Sequence, residues 1–513
     1  MCGSNEFENY ERFCYRIINT GESIVSERKF VRCTQCGIIR QLNLPFTNTE
    51  EYQKFYENYA PTNSEYKVKD YAHDYALAEA RYKAYGLSGE VRLLDVGSGS
   101  GAFVDVCRQS GCEAYGCEIG IYHYEKTAEY IYRKRFEDIH FPTDYFDLLT
   151  FHDTLEHVLD PITILGEAFR TIKQNGTCII DIPNFFISAG EHHWKDSEHI
   201  WMPTEEQLIE WIKKTGFTIK KIDHPIESKI VAYANKPEQK RKTILVPPGI
   251  GDSFWSIVKL ESFIASEKTG IPEVIPVTNS KVTKYNGHER SVPFLQMFPF
   301  LYCKKAVTIV DEAHRKIWRE AYLGQSRTIW RKVMGYDYFL CWNGYLRVGK
   351  PLESVDVHIT CNWHPKMWVS LEEDSYRQQA IKQYGKYVVC YFPFYGTYQY
   401  WSSEFSVDSV IESIKKIASN GHTPVIVGAA WDRDNPHTQR LIAESQAVDL
   451  TGKTTIPQLF GLLKGATAVV GYPSGLTIMA GVFKTKTLII WNPYYNPDFA
   501  WNTLPPDVRH TTY

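Results

Sequence analysis

Short apolar runs alternate with longer amphipathic stretches along most of this chain, and the alternation restarts twice. RLLDVGSGSGAF, residues 92–103, reads as a strand, a glycine turn and the start of a helix. Strands and helices then alternate over residues 61–235. AYANKPEQKRKT, 232–243, is polar, charged and proline-containing, so it reads as a linker. KTILVPPGIGDSFW, 242–255, opens a second series with a strand-like run at Thr243–Val246, another glycine turn, and a helix over Ser256–Phe263. A break near 371–386 (LEEDSYRQQAIKQYGK) precedes a third series. That series runs YVVCYF, a helix SVDSVIESIKKIASNG closed by Gly421, TPVIVGA, AVDLTG, a helix IPQLFGLLKGA, TAVVGY, a further helix and TLIIW. Strands separated by helices of this length specify parallel sheets. The expected fold class is α/β, with three Rossmann-like units over 61–235, 243–385 and 386–513 behind a small cysteine-containing module at 1–60.

Composition narrows the function classes. With 513 residues, 43% hydrophobic and 23% charged, the chain has the make-up of a soluble globular protein of two or three domains. A formal net charge of -3 gives no electrostatic footprint for nucleic acid or an anionic membrane. No apolar run approaches the ~20 residues of a membrane span, so none is expected. The first 20 residues lack the apolar core of a secretory signal, and the 12 cysteines form no disulfide-like array. The expected compartment is therefore a reducing cytoplasm. Aromatic clusters at 391–401 and 341–346 are potential sugar-stacking platforms as well as packing residues.

The first glycine turn carries the most chemistry. Gly97, Gly99 and Gly101 permit positive φ and let a ligand approach the backbone closely. GSGSGA also satisfies a dinucleotide fingerprint, but Asp95 stands at the strand end where that motif usually has an apolar residue. Asp95 with the three glycines, Glu118 after the next strand, the Glu137–Asp138 pair, and FDLLTFHDTLEHVLDP at 146–161 occur in one order. That order resembles class I S-adenosylmethionine-dependent methyltransferases of the sugar and small-metabolite type. The resemblance implies that Asp95 and the glycine backbone hold the methionine part of S-adenosylmethionine. It implies Glu118 for the ribose hydroxyls, and Glu137 or Asp138 for the adenine amine. His152, after the fourth strand, and His192 and His193, in GEHHWKDSEHIWMPT at 190–204, are the candidate bases on the acceptor side. His199 and Trp201 in that segment read mainly as packing, as does His157.

Near the N-terminus, Cys33 and Cys36 form a C-x-x-C-G knuckle, and Cys2 and Cys14 are the cysteines upstream of it. Tetrahedral zinc takes four ligands. Sugar C-methyltransferases often open with such a module, and the resemblance implies a structural zinc on Cys2, Cys14, Cys33 and Cys36. Reduced thiols in an eroded knuckle are the alternative.

The second turn, PPGIGDSFW, resembles the opening loop of the heptosyltransferase-like family nine glycosyltransferases, which have the GT-B fold of two Rossmann-like halves. The run DLTGKTTIPQLFGLLKGATAVVGYPSGLTIMAGVFKTKTLIIW, 449–491, resembles the second half of that family. The resemblance implies Asp252 as the base, Gly249 and Gly251 as the thin wall of the acceptor loop, and Lys453, Thr454, Ser474 and Gly475 on the nucleotide sugar. Pro473, Ile478 and the absence of a lysine from GTYQYW depart from the family pattern and remove charge from the phosphate site. The function expected is a bifunctional enzyme that methylates and glycosylates a glycan or its precursor by inverting transfer, with a nucleotide-sugar donor and a glycan or sugar acceptor. The alternative is a methyltransferase whose GT-B part is a non-catalytic glycan-binding module.

Overall fold

The computed structural model describes residues 6–17, 23–42, 44–58, 64–120, 128–194, 199–247, 249–279, 288–309, 336–339, 361–393 and 406–490. The chain divides into two units, 1–239 and 240–513.

The first unit is built on one seven-stranded sheet. Its strands are β4 (Arg92–Val96), β5 (Glu113–Cys117), β6 (Ile131–Tyr132), β7 (Phe146–His152), β8 (Ile172–Pro183), β10 (Thr218–Asp223) and β11 (Lys229–Asn235). The order is β10-β11-β8-β7-β4-β5-β6. All neighbours are parallel except the pairs that β11 makes with β8 and β10. The central strands are apolar on both faces, as a sheet covered by helices requires. Leu93, Leu94, Leu149 and Ile180 are fully buried. This is a Rossmann-like fold. Strand order reverses between β4 and β7, so a crevice opens beyond their carboxyl ends.

A second, antiparallel sheet sits in the same unit, ordered β1 (Phe7–Ile17), β2 (Ser23–Cys33), β3 (Ile39–Gln41) and β9 (Trp201–Met202). Its last strand comes from the histidine-rich segment. Phe30, Ile39, Phe185, Trp194 and Met202 form a shared core, so the N-terminal module and that segment fold as one body. The hairpin register corrects the zinc expectation. Phe7 pairs with Cys33 and Cys14 with Ser26, seven positions further along. At ~3.3 Å per residue that is about 23 Å, and no zinc reaches both Cys14 and the Cys33–Cys36 knuckle. Cys2 lies outside the described residues.

Two further expectations change. The first four residues of the expected linker, Ala232–Asn235, complete β11, and Lys236 is 1% exposed. Its ammonium lies 2.6 Å from Asp144 and also donates to the Ile172 carbonyl at 3.0 Å. The buried ion pair explains why so polar a stretch ends a core strand. The expected break at 371–386 is a helix, Leu371–Tyr384. The Ser370 hydroxyl caps it by accepting from the Glu373 amide at 3.0 Å, and Glu373 pairs with Lys464 on helix Ile456–Gly465.

The second unit holds two parallel sheets. One is ordered β14 (Val307–Ile309), β13 (Glu273–Asn279), β12 (Thr243–Val246) and β15 (Tyr338–Phe339). The other is ordered β18 (Val448–Asp449), β17 (Thr423–Ile426), β16 (Tyr387–Tyr391), β19 (Ala468–Gly471) and β20 (Thr487–Ile489). Ile244, Val246, Val389, Val425 and Val469 belong to one buried cluster with the helices around them. Among the described residues, no helix is long and apolar enough to cross a membrane.

Lys236→Met is expected to lower unfolding free energy by about 3–5 kcal/mol, because it strands Asp144 in the interior. Adding Asp144→Asn should recover much of that loss. Denaturant titration of the two variants checks this, and equal stability of Lys236→Met and wild type would refute it.

Candidate functional site

Each glycine turn opens onto a cavity. The first cavity, about 490 Å³, lies beyond the ends of β4, β5 and β7. Gly97 and Gly99 from the first turn, Cys117 to Gly120 from the second, and His152 to Thr154 from the third line it. Gly97 has φ 71°, and a Cβ there would come 2.5 Å from the Thr154 hydroxyl, so only glycine fits. Gly99 (φ 51°) has no atom near its missing Cβ and faces the open cavity. A side chain at Gly99 would occupy the space a ligand needs.

Glu118 is the anchor of this cavity. Its carboxylate accepts from the Gly99 amide at 2.9 Å and the Gly120 amide at 2.7 Å. Burial holds the Glu118 carboxyl above the usual carboxylate range, and the backbone amides of Gly120, Gly99 and Ile119 pull it the other way. Held by the backbone, the carboxylate keeps further lone pairs for hydrogen-bond donors in the cavity. Glu137 lines the cavity beside Phe136, with Arg135 at 3.1 Å; burial raises its carboxyl too. Asp138 pairs with Arg135 at 2.6 Å and does not line the cavity.

Asp95 does not line the cavity either. Its Oδ1 accepts from the Thr150 hydroxyl at 2.7 Å and lies 3.0 Å from His152 Nδ1. His152 Nε2 lies 3.0 Å from the Tyr85 hydroxyl, with the two rings stacked. With its proton on Nδ1, His152 donates to Asp95 and accepts from Tyr85. Asp95 therefore orients a histidine. His193 is half-buried and its carbonyl faces His199; neither residue is among those lining the cavity. The side chain of His192 lies outside the described residues. Tyr52, Tyr56 and Thr154, which the sequence reading missed, complete the wall. Thr154 had a visible signal, a small polar residue just past a strand that follows a glycine-loop strand.

The second cavity, about 590 Å³, lies between the two parallel sheets of the second unit. Helices Ile250–Glu267 and Gly475–Val482 both point their N-termini at it. They approach so closely that a Cβ on Gly475 would lie 2.5 Å from the Gly251 amide nitrogen. Gly249, Ser474, Gly475 and Thr454 line the cavity. Ser474 caps its helix, accepting from the Thr477 amide at 3.2 Å. Two converging helix starts concentrate positive potential and unshared N–H groups. Lys453 is turned away: its ammonium is held by the Asp449 carbonyl at 2.7 Å and carboxylate at 3.0 Å, and it does not line the cavity. Among the described residues, the cation that does is Arg290, stacked 4.3 Å over the Trp431 ring. No local pattern in HERSVPF marks Arg290; only the fold brings it there. The helix starts at Ile250 with Gly249 as its cap, so Asp252 stands in the first turn and not at a cap. The Asp252 side chain, and most of the aromatic clusters at 341–346 and 391–401, lie outside the described residues; Tyr391 lines the cavity.

Comparison with known proteins identifies both classes. A family profile described as a methyltransferase domain matches residues 50–222. One described as glycosyltransferase family 9 (heptosyltransferase) matches residues 411–498. The chain thus carries a methyltransferase domain, with S-adenosylmethionine as its cofactor, and a glycosyltransferase family 9 domain. Among individual relatives, 2-methyl-6-phytyl-1,4-hydroquinone methyltransferase of Spinacia oleracea is 37% identical over 86 residues, 16% of this chain and 23% of that protein. The chain thus spans about a quarter of that relative's length. Ubiquinone biosynthesis O-methyltransferase of Photobacterium profundum is 22% identical over 226 residues, 42% of this chain and 92% of that protein. A solved S-adenosylmethionine-dependent methyltransferase from Archaeoglobus fulgidus covers 32% of this chain and 94% of its own, with 21% identity and a TM-score of 0.27.

The raised Glu118 sets a pH dependence. Its carboxyl protonates at higher pH than an exposed one, so S-adenosylmethionine affinity should fall as pH drops through that range. Glu118→Gln should bind about tenfold or more weakly at neutral pH, the loss of a charged hydrogen-bond acceptor. It should also show a shallower slope, since the raised Glu137 remains in the cavity. Calorimetric titration from neutral to mildly acidic pH reads both; an undiminished slope in the variant would assign the titration elsewhere.

Proposed function

We propose that this chain is a bifunctional transferase, moving a methyl group in its first unit and a glycosyl group in its second, on a glycan or glycan precursor. The observation that carries the reading is the pairing of two glycine-walled cavities of opposite electrostatic character. One presents Glu118 and Glu137, suited to the hydroxyls and amine of S-adenosylmethionine. The other presents two helix N-termini and Arg290, suited to the diphosphate of a nucleotide sugar.

In the first cavity, bound S-adenosylmethionine supplies an electrophilic methyl group. Glu118 takes the ribose hydroxyls, Glu137 the adenine end, and the Gly97–Gly99 backbone the amino-acid end. His152 is the base for the acceptor, oriented by Asp95 as a carboxylate orients a catalytic imidazole. Tyr85 occupies its other nitrogen and must yield it or pass the proton on.

In the second unit the two sheets supply the halves of a GT-B module, with Asp252 as acceptor base on the first turn of its helix. Arg290 and the Ser474–Gly475 helix start stabilise charge on the departing nucleoside diphosphate. Arg290 supplies the charge that the family lysine supplies elsewhere. A non-catalytic glycan-binding module is the competing reading, favoured by the loss of the family residues at Pro473 and Ile478; Ile478 is buried in the core.

Incubation of the full chain with S-adenosylmethionine and a panel of nucleotide sugars, read by mass spectrometry of candidate glycans, tests the proposal. Mass gains of a methyl and a glycosyl unit are expected. Methyl gain with no release of nucleoside diphosphate on any acceptor would leave the binding-module reading. Arg290→Gln should weaken nucleoside diphosphate binding about tenfold to a hundredfold, the loss of one charge-assisted contact. Unchanged affinity by calorimetry would remove Arg290 from the site.

A further inference from the structure

Glu156 is the anomaly of the first unit. It follows β7, is 0% exposed, and neither carboxylate oxygen has a hydrogen-bond partner among the described residues. Nearby cations are committed elsewhere: Lys229 pairs with Asp153 and, at 3.3 Å, with Asp181, and Arg81 pairs with Asp181 at 2.9 Å. A buried carboxyl with no hydrogen bond among the described residues is costly, and native structures rarely keep one without a reason.

Two histidines face it. His157 Nε2 lies 3.9 Å from Glu156 Oε1, and the His157 and His199 rings meet edge to face at 4.6 Å. One ligand atom from each of the three residues lies within 4.8 Å of the others. Each imidazole is oriented through its second nitrogen. His199 Nδ1 donates to the His193 carbonyl at 2.5 Å, which makes Nε2 its acceptor nitrogen. His157 Nδ1 lies 3.3 Å from the Tyr56 hydroxyl, which turns Nε2 toward Glu156. Such contacts on the far nitrogen are the usual support of metal-binding histidines.

We propose that Glu156, His157 and His199 form a binding site for a divalent cation of the zinc, cobalt or manganese class. Two imidazoles and one carboxylate suit such ions, and a shift of about an ångström would bring the three atoms to tetrahedral spacing. His157 also lines the first cavity, so an open coordination position faces the space where an acceptor would sit. Hydroxyl oxygens, from a sugar or a phenol, are the ligands that position would take. The cation site stands on its own residues, whether or not the methyl-transfer reading holds.

The test is titration of the chelator-treated full chain with cobalt(II) alone, followed by absorbance. One equivalent should give ligand-field bands without thiolate-to-cobalt charge transfer, and zinc should displace it. His199→Ala and His157→Ala should each lose tight binding by tenfold or more while keeping the wild-type circular dichroism spectrum. Glu156→Gln, if folded, should do the same. Cobalt should raise the melting temperature of wild type and leave the histidine variants unmoved. No binding by wild type, a charge-transfer band from cysteine, or full affinity in both histidine variants would overturn the proposal.

Discussion

Gly97 and Gly475, one on the wall of each cavity, have no room for a Cβ, and the turns that shape those walls depend on that. At Gly97 the missing atom would run into Thr154, and at Gly475 into the backbone of Gly251. In each case a strand must turn sharply at the carboxyl edge of a parallel sheet while another turn presses against it. The backbone then becomes the cavity wall, and its N–H groups become the binding surface. Any side chain at these positions would push the turns apart and replace peptide dipoles with bulk.

The same geometry yields opposite chemistry because of what surrounds it. Around the first turn, β5 is followed by Glu118, which consumes the Gly99 and Gly120 amides and makes the surface an acceptor. Around the second, the described residues place no carboxylate on the wall; the amides that are taken at the two helix starts, those of Gly249, Ser474 and Thr477, go to hydroxyls, and Arg290 adds its charge. A helix N-terminus is therefore not by itself an anion site. Whether a buried acid reaches the amides first decides it.

Much of this was legible in the chain. The glycine turns, the strand–helix alternation and the order of Asp95, Glu118 and LEHV gave the first unit and its cavity wall. What stayed hidden depends on side chains meeting across the fold. Asp95 stands at the strand end, but its partner is His152, fixed only once β4 and β7 pair. Lys453 sits in a recognisable motif, yet a nearer acid, Asp449, takes its charge. Arg290 is one basic residue among 57 and acquires meaning only when its helix meets Trp431. The helix 371–384 was hidden for another reason. Its polar residues grip Lys464 and a cap instead of a plain apolar face, so apolar periodicity did not announce it.

The N-terminal module is explained by the same cross-chain contacts. Its sheet is closed by β9, and the residues beside β9 reach back to the end of β7: the Ile200 and Trp201 amides donate to the Glu156 carbonyl at 2.7 and 3.1 Å. Gln207 then ties helix Glu205–Lys214 to the Cys36 carbonyl at 2.7 Å. That hydrogen bond ties the knuckle to the body of the first unit. In exchange, the module holds the histidine-rich segment against the cavity. Loosening β9 from β3 would release His199 and the turn after β7 that carries His157, which makes the small sheet a support for that part of the cavity wall.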